Sequence, residues 1–331
     1  MIIPVTQSEY QKGKQVFDSV SDITFMPVSE QENALANFIV QHQCKACVLG
    51  VEHYRNKLYS ALPKGGLILR FGVGIDGIDR KQLKEKNLKL VNTPDVLNRS
   101  VAEHTMFLIG SLVRHISHGN EQVKNGNWPS TSDITGYELS ELTLAIVGFG
   151  RIGSIIAKIA RQGFQMDLLV CDVADPTEAA HRFGYENEKT MKTDLGILEW
   201  HANSGRILSK ADIVSVHLPL IPATEGYFNK ARFDQVKSGA YFINTSRGKL
   251  VDEEALAEAL TKGKLAGAAL DVFHNEPYKA VVSDLRKCKN LIMTPHVASN
   301  THTANRKMAS SVVETLVQWL NGVEELKNLV I

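Results

Sequence analysis

Between residues 144 and 172 the chain carries a pattern that few folds can hold. The apolar run Leu144-Ala145-Ile146-Val147 leads without a break into Gly148-Phe149-Gly150-Arg151-Ile152-Gly153, and a helical stretch, Ser154 to Arg161, follows. A strand that is apolar at every position has both faces covered, the condition of a parallel sheet wound with helices. Each glycine has a mechanical task in this strand-turn-helix unit. Gly148 permits the tight turn, Gly150 lets a pyrophosphate approach the backbone, and Gly153 lets the helix sit close to the strand. The helix N-terminus, opened by Arg151 and Ile152, offers N–H groups and a positive dipole end to phosphates. The next strand, Leu168 to Cys171, ends at Asp172, roughly twenty positions past the last glycine, where a ribose-binding acid belongs. Its carboxylate can accept from both adenosine ribose hydroxyls and would repel a 2′-phosphate. No arginine follows in Val173-Ala174-Asp175 to neutralise one, so NAD is favoured over NADP.

The same alternation runs along the whole chain. Strands are expected at Ile2 to Val5, Ile23 to Met26, Ala46 to Leu49, Leu67 to Leu69 and Leu88 to Val91, with amphipathic segments such as Glu32 to His42 between them. A long helix from about Ser100 to His118 leads to a connector at Gly126-Asn127-Trp128-Pro129 and reads as an interdomain hinge. A second set of strands follows: Leu144 to Val147, Leu168 to Cys171, Ile213 to Val216, Ala240 to Ile243 and Ala268 to Leu270. The 331 residues exceed one ordinary domain, so the expected fold class is α/β with two doubly wound parallel-sheet domains. The polar segment Asp175 to Ser209 reads as a surface excursion with a helix around Leu195 to His201. A terminal amphipathic helix, Ala304 to Leu320, is expected to pack back on the first domain.

Composition removes several classes of function. A formal charge of +1 provides no field for nucleic acid, and no apolar run reaches the roughly eighteen residues a membrane span needs. Met1-Ile2-Ile3-Pro4-Val5-Thr6 reads as a first strand, not a leader. The four cysteines make no disulfide framework, and a reducing cytoplasm suits them. Cys44-x-x-Cys47 has no second pair to complete a metal site, and its spacing is read as incidental. His115-x-x-His118 lacks a third ligand and reads as a helix surface, so no metal is expected.

Three ionisable residues lie just past strand ends in the second sheet, where open α/β sheets place their sites. Arg247 follows Phe242-Ile243-Asn244, Glu276 follows Ala268 to Val272, and His296 follows Leu291-Ile292-Met293. Each alone has a dull explanation as a surface cation, a turn acid or a loop histidine. Their shared placement points to convergence.

The segments around them resemble, in order, the signatures of the D-isomer-specific 2-hydroxyacid dehydrogenases. They are Phe71-Gly72-Val73-Gly74-Ile75-Asp76-Gly77-Ile78-Asp79, Asn92-Thr93-Pro94, Ser100-Val101-Ala102-Glu103-His104-Thr105, His217-Leu218-Pro219-Leu220, Asn244-Thr245-Ser246-Arg247-Gly248, Ala269-Leu270-Asp271-Val272-Phe273 and Thr294-Pro295-His296. The resemblance implies a flavodoxin-like substrate domain over residues 1–101 plus 297–331, and a Rossmann NAD-binding domain over 102–296. It implies closure of the two about Val101 and Val297, with the chemistry between them, and a homodimer. It implies hydride exchange between NAD and a small 2-keto or 2-hydroxy acid. His296 resembles the general acid that protonates the carbonyl oxygen. Glu276 resembles its partner, which fixes the tautomer and favours the charged ring. Arg247 resembles the clamp on the substrate carboxylate, for which a planar fork suits better than lysine. Backbone N–H groups of Val73 and Gly74 would hold that carboxylate, Asp271 would bond the nicotinamide amide, and Thr105 with Thr245, Ser246 and Arg247 would flank the ring.

Other members of this architecture are less well matched. Phosphite enzymes need lysine where Val73 stands, and formate enzymes pair their histidine with glutamine in place of Glu276. An NAD(H)-sensing, corepressor-like binding protein could keep every motif but would show no turnover. Phosphoglycerate as substrate is disfavoured by Glu52 in Gly50-Val51-Glu52-His53-Tyr54, although Arg55 and Arg70 could supply charge. The choice among acids is expected to fall to the loop from Glu52 to Arg55.

Overall fold

The computed structural model describes residues 1–323 and 325–331. They form two compact units, residues 1–97 with 300–331, and residues 98–299.

In the first unit, β1 (Ile2–Thr6), β2 (Thr24–Val28), β3 (Ala46–Leu49), β4 (Leu67–Arg70) and β5 (Lys89–Val91) form one parallel sheet in the order β2-β1-β3-β4-β5. This is the flavodoxin order, with its switch point at the carboxyl ends of β1 and β3. Every residue of β3 and β4 is buried, which explains the apolar runs Ala46 to Leu49 and Leu67 to Leu69. Leu35 and Ile39 of helix Glu32–Gln41, Leu58 of Lys57–Ala61 and Leu83 of Arg80–Lys86 pack with Cys47, Leu49 and Ile68 in one core. Helix His302–Leu320 lies against helix Gln7–Phe17 and β4. Gly13 sets how close the two helices come: a Cβ there would lie 2.9 Å from that of Ala309. The last residues pair with β5 through Val330 N–H to the Leu90 carbonyl and Leu90 N–H to the Ile331 carbonyl (2.8 and 2.9 Å).

In the second unit, β6 (Thr143–Val147), β7 (Asp167–Cys171), β8 (Ile197–His201), β9 (Ile213–Val216), β10 (Ala240–Asn244), β11 (Leu265–Leu270) and β12 (Leu291–Met293) form a parallel sheet in the order β12-β11-β10-β9-β6-β7-β8. The winding reverses between β6 and β9, the Rossmann switch point. Alternation along β6 is visible in its packing. Leu144 and Ile146 join one core with Ile156, Ala157 and Ala160 of helix Arg151–Phe164 and Ile109 of helix Asn98–Val113. Ala145 and Val147 join the opposite core with Leu256 and Phe233 of helices Glu253–Thr261 and Lys230–Gln235.

Two expectations need correction. Residues 175–209 are not a surface excursion. They hold helices Pro176–Arg182 and Glu188–Leu195, strand β8 and helix Gly205–Leu208. The helix expected at 195–201 is that strand. Helix Glu188–Leu195 stops at Gly196 in the left-handed region (φ 64), and β8 then pairs along β7 alone. An edge strand needs only partial burial, so Ile197 is inside while Leu198 is 62% exposed. The single helix expected over 100–118 is two, Asn98–Val113 and Ile116–Lys124, broken where His115 turns left-handed at φ 54.

Candidate active site

The turn after β6 is shaped for a dinucleotide. Gly148 has φ +101, and a Cβ on it would strike the His217 carbonyl oxygen at 2.5 Å. A Cβ on Gly153 would meet the Gly148 carbonyl at 2.3 Å, so only glycine lets the helix start this close to the strand. At Gly150 nothing lies within 4 Å of such a carbon, which leaves open space over the helix N-terminus. No side chain caps that end of helix Arg151–Phe164. Phe149 is buried, edge-on to Phe183 and Trp200, and its N–H donates to Asp172 Oδ2 (2.6 Å). Asp172 Oδ1 accepts from the Ala174 N–H (2.8 Å). The acid is thereby pinned at the end of β7 beside the turn. These residues fit a dinucleotide. Sequence patterns did not mark Phe149 and Trp200 as its support, because the contact crosses from the turn to β8.

His217, on the loop after β9, contacts the Ser215 hydroxyl through Nε2 (2.8 Å). Burial of the ring pushes its pKa down to about 3, so it is neutral at ordinary pH.

The three ionisable residues converge only in part through direct contacts. His296 Nδ1 lies 2.6 Å from Glu276 Oε2, while Glu276 Oε1 accepts from the Phe273 N–H (2.9 Å). Burial alone would raise the Glu276 carboxyl. The hydrogen bond and charge of His296, the Phe273 amide and the nearby charge of Arg247 outweigh it and hold the pKa below the ordinary 4.5. Arg247 is half-buried, and its Nη1 donates to the Ser246 carbonyl (2.7 Å). Its loop is fixed by Asn244, whose Nδ2 donates to the Arg247 carbonyl and whose Oδ1 accepts from the Ser246 N–H (2.9 and 3.0 Å). Ser246 Oγ donates to the Val216 carbonyl (2.7 Å). A Cβ at Gly248 would fall 2.0 Å from the Phe273 carbonyl carbon, so the loops bearing Arg247 and Glu276 touch backbone to backbone.

Thr105 and Thr245 meet through their hydroxyls at 2.9 Å, although 140 residues separate them. Thr105 is fully buried, and its hydroxyl also donates to the Val101 carbonyl (2.8 Å). Asp271 is fully buried as well. Its Oδ1 accepts from the Thr294 hydroxyl (2.5 Å) and the Val297 N–H (3.0 Å), and its Oδ2 from the Ala298 N–H (2.8 Å). The nicotinamide contact expected of Asp271 therefore meets a carboxylate already committed to the loop that carries His296.

In the first unit, the carbonyl of Val73 accepts from Asn92 Nδ2 (2.9 Å) and that of Gly74 from Arg70 Nε (2.7 Å). Arg70 Nη1 also donates to the Leu49 carbonyl (3.2 Å). Among the described residues the N–H groups of Val73 and Gly74 make no hydrogen bond, as an anion-holding loop requires. Arg70 is 4% exposed and committed to these carbonyls, so of the two cations weighed for a phosphate only Arg55 is exposed.

The family model for the D-isomer-specific 2-hydroxyacid dehydrogenase, NAD-binding domain, matches residues 106–298. The chain belongs to this family. It is an NAD-dependent oxidoreductase that interconverts 2-keto acids and D-2-hydroxy acids. The dehydrogenase is 34% identical to glyoxylate/hydroxypyruvate reductase B of Klebsiella pneumoniae, over 92% of this chain and 91% of that protein. It is 38% identical to D-3-phosphoglycerate dehydrogenase of Bacillus subtilis over 80% of this chain, but spans only 47% of that longer protein. Among solved structures it superposes on D-lactate dehydrogenase of Aquifex aeolicus, complexed with NAD and lactic acid, with a TM-score of 0.79 and 27% identity, over 100% of this chain and 99% of that one.

Proposed function

We propose that this dehydrogenase reduces a small 2-keto acid with an uncharged tail, of the glyoxylate or hydroxypyruvate kind, with Arg247, Glu276 and His296 as its catalytic residues. The carrying observation is the 2.6 Å contact between His296 Nδ1 and Glu276, because it commits one ring nitrogen and leaves Nε2 to exchange a proton with the substrate. Bound NADH supplies the hydride. Arg247 grips the substrate carboxylate and holds the carbonyl oxygen toward His296, and the Val73 and Gly74 N–H groups of the first unit are the proposed backbone donors to that carboxylate. His296 Nε2 gives its proton to that oxygen, and Glu276 balances the ring's charge beforehand. Gly148, Gly150, Arg151, Ile152 and Gly153 hold the cofactor's phosphates, and Asp172 its ribose. Thr105, Thr245 and Ser246 flank the nicotinamide, and Asp271 acts chiefly as anchor of the His296 loop.

The tail preference is supported by Arg70, which is not available to a phosphate, and by exposed Val51, Glu52 and Val73 on the neighbouring loops. The test is NADH consumption against glyoxylate, hydroxypyruvate, pyruvate and phosphohydroxypyruvate. Arg247→Ala and His296→Ala should each lose about a thousandfold in kcat/KM on the best acid. Wild-type rates in both variants would refute the site, and fastest turnover of the phosphorylated acid would refute the substrate class. Tight NADH binding without any turnover would favour a sensor.

We also infer a homodimer in a reducing, cytoplasmic setting. Phe107 (75% exposed), Ile116 (60%) and Trp128 (87%) leave apolar surface for a second copy, and all four cysteines are free thiols. Light scattering of the wild type and of Phe107→Glu tests the dimer.

A further inference from the structure

His296 sits in the left-handed region at φ 53, a conformation that a bulky L-residue adopts only when its surroundings hold it there. What holds it is Asp271. The Asp271 carbonyl accepts from the His296 N–H (2.8 Å), while its carboxylate takes the Val297 and Ala298 N–H groups and the Thr294 hydroxyl. The loop on both sides of the histidine thus hangs from one buried acid.

That acid has a further neighbour. His104, on helix Asn98–Val113, places Nε2 3.2 Å from Thr294 Oγ1 and 3.6 Å from Asp271 Oδ1. A hydroxyl has one proton, and a carboxylate that accepts from it uses that proton. Thr294 can then meet His104 only as an acceptor, so His104 must carry hydrogen on Nε2. We propose that His104 is a positioning residue: His104 Nε2–H to Thr294 Oγ–H to Asp271 forms a one-way hydrogen-bond cascade that holds the His296 loop in its working conformation. The role assigned to His104 runs through Thr294 and Asp271. It sets where the proton donor stands, and it ties that donor to the helix that also carries Thr105. The inference rests on the reading of His296 as proton donor for its catalytic consequence, though not for the cascade itself.

Two measurements test it. In kinetics with saturating NADH, His104→Ala and Thr294→Val should each lower kcat about tenfold, with KM for the keto acid and Kd for NADH within about twofold of wild type. The double variant should be no slower than the slower single, and His104→Gln, whose amide nitrogen can stand in for Nε2, should recover most of the rate. Long-range proton–nitrogen spectra of the histidine rings provide the second readout, independent of turnover. Wild-type His104 should show hydrogen on Nε2, and Thr294→Val should release that preference.

A wild-type kcat in His104→Ala, a Gln variant as slow as Ala, or a His104 protonated on Nδ1 alone would each overturn the proposal. If the wild type turns over no keto acid, the catalytic reading fails and the spectra still decide the cascade. Should His104→Ala fail to fold, Thr294→Val with its Thr294→Ser rescue takes its place in the kinetic arm.

Discussion

Replacing Arg70 by methionine keeps most of the side-chain volume and removes every donor. In the folded protein the Gly74 carbonyl would lose its guanidinium partner, while the Leu49 carbonyl would keep the Phe71 N–H (2.9 Å). A buried acceptor left unpaired costs about 1–3 kcal/mol, so the one half-buried carbonyl points to about 1 kcal/mol, or roughly 3 °C in melting temperature. The functional effect should be selective. Arg70 ties the loop of Val73 and Gly74 through the Gly74 carbonyl, and if that loop holds the substrate as proposed, its misplacement by an ångström should lose about a hundredfold in kcat/KM, mostly through KM for the keto acid. Binding of NADH, followed by fluorescence titration, should stay at the wild-type value, because the glycine turn belongs to the other unit. Arg70→Lys should fall between the two, since one ammonium cannot span both carbonyls in the fixed fork of a guanidinium. Two results refute this reasoning. One is a wild-type KM in Arg70→Met. The other is a loss of NADH affinity in step with the loss of turnover, which would mean general unfolding.

Further outcomes follow from the second unit. Gly153→Ala would drive a methyl group against the Gly148 carbonyl and should weaken NADH at least about tenfold, read by the same titration. Asp172→Ala should narrow the preference for NADH over NADPH by about a hundredfold, because a like charge beside the 2′-phosphate is removed and the Phe149 N–H is released; kcat/KM with each cofactor measures it. Glu276 titrates below its ordinary 4.5, so its stabilising contribution is complete above that pH and is lost as pH falls through the lower folded value. Glu276→Gln should therefore flatten the acid loss of melting temperature below that pH, and lower kcat at neutral pH.

Much of the fold is legible in the sequence. Unbroken apolar runs such as Ala46 to Leu49 can exist only where both sheet faces are covered, so local sequence sufficed to place them. The glycine turn was legible because its backbone demands are local. β8 was not: an edge strand buried on one side mixes Ile197 and Trp200 with Glu199 and His201, and pairing with β7 decides its form. The break at His115 carries no glycine or proline to announce it. In the site, single residues were readable by type, while their commitments were not. Whether Arg70 meets a phosphate or two carbonyls, and whether Asp271 meets an amide of the cofactor or of its own loop, depends on partners distant in sequence.

The packing of helix His302–Leu320 against Gln7–Phe17 has a consequence for biosynthesis. The second unit is contiguous, so once residue 299 has left the ribosome all of its strands are present. The first unit cannot cover Gly13, or complete the edge of β5, until residues 302–331 emerge. A nascent chain stalled between those points would hold a finished second unit and an unfinished first one, with its N-terminal sheet the segment most in need of a chaperone.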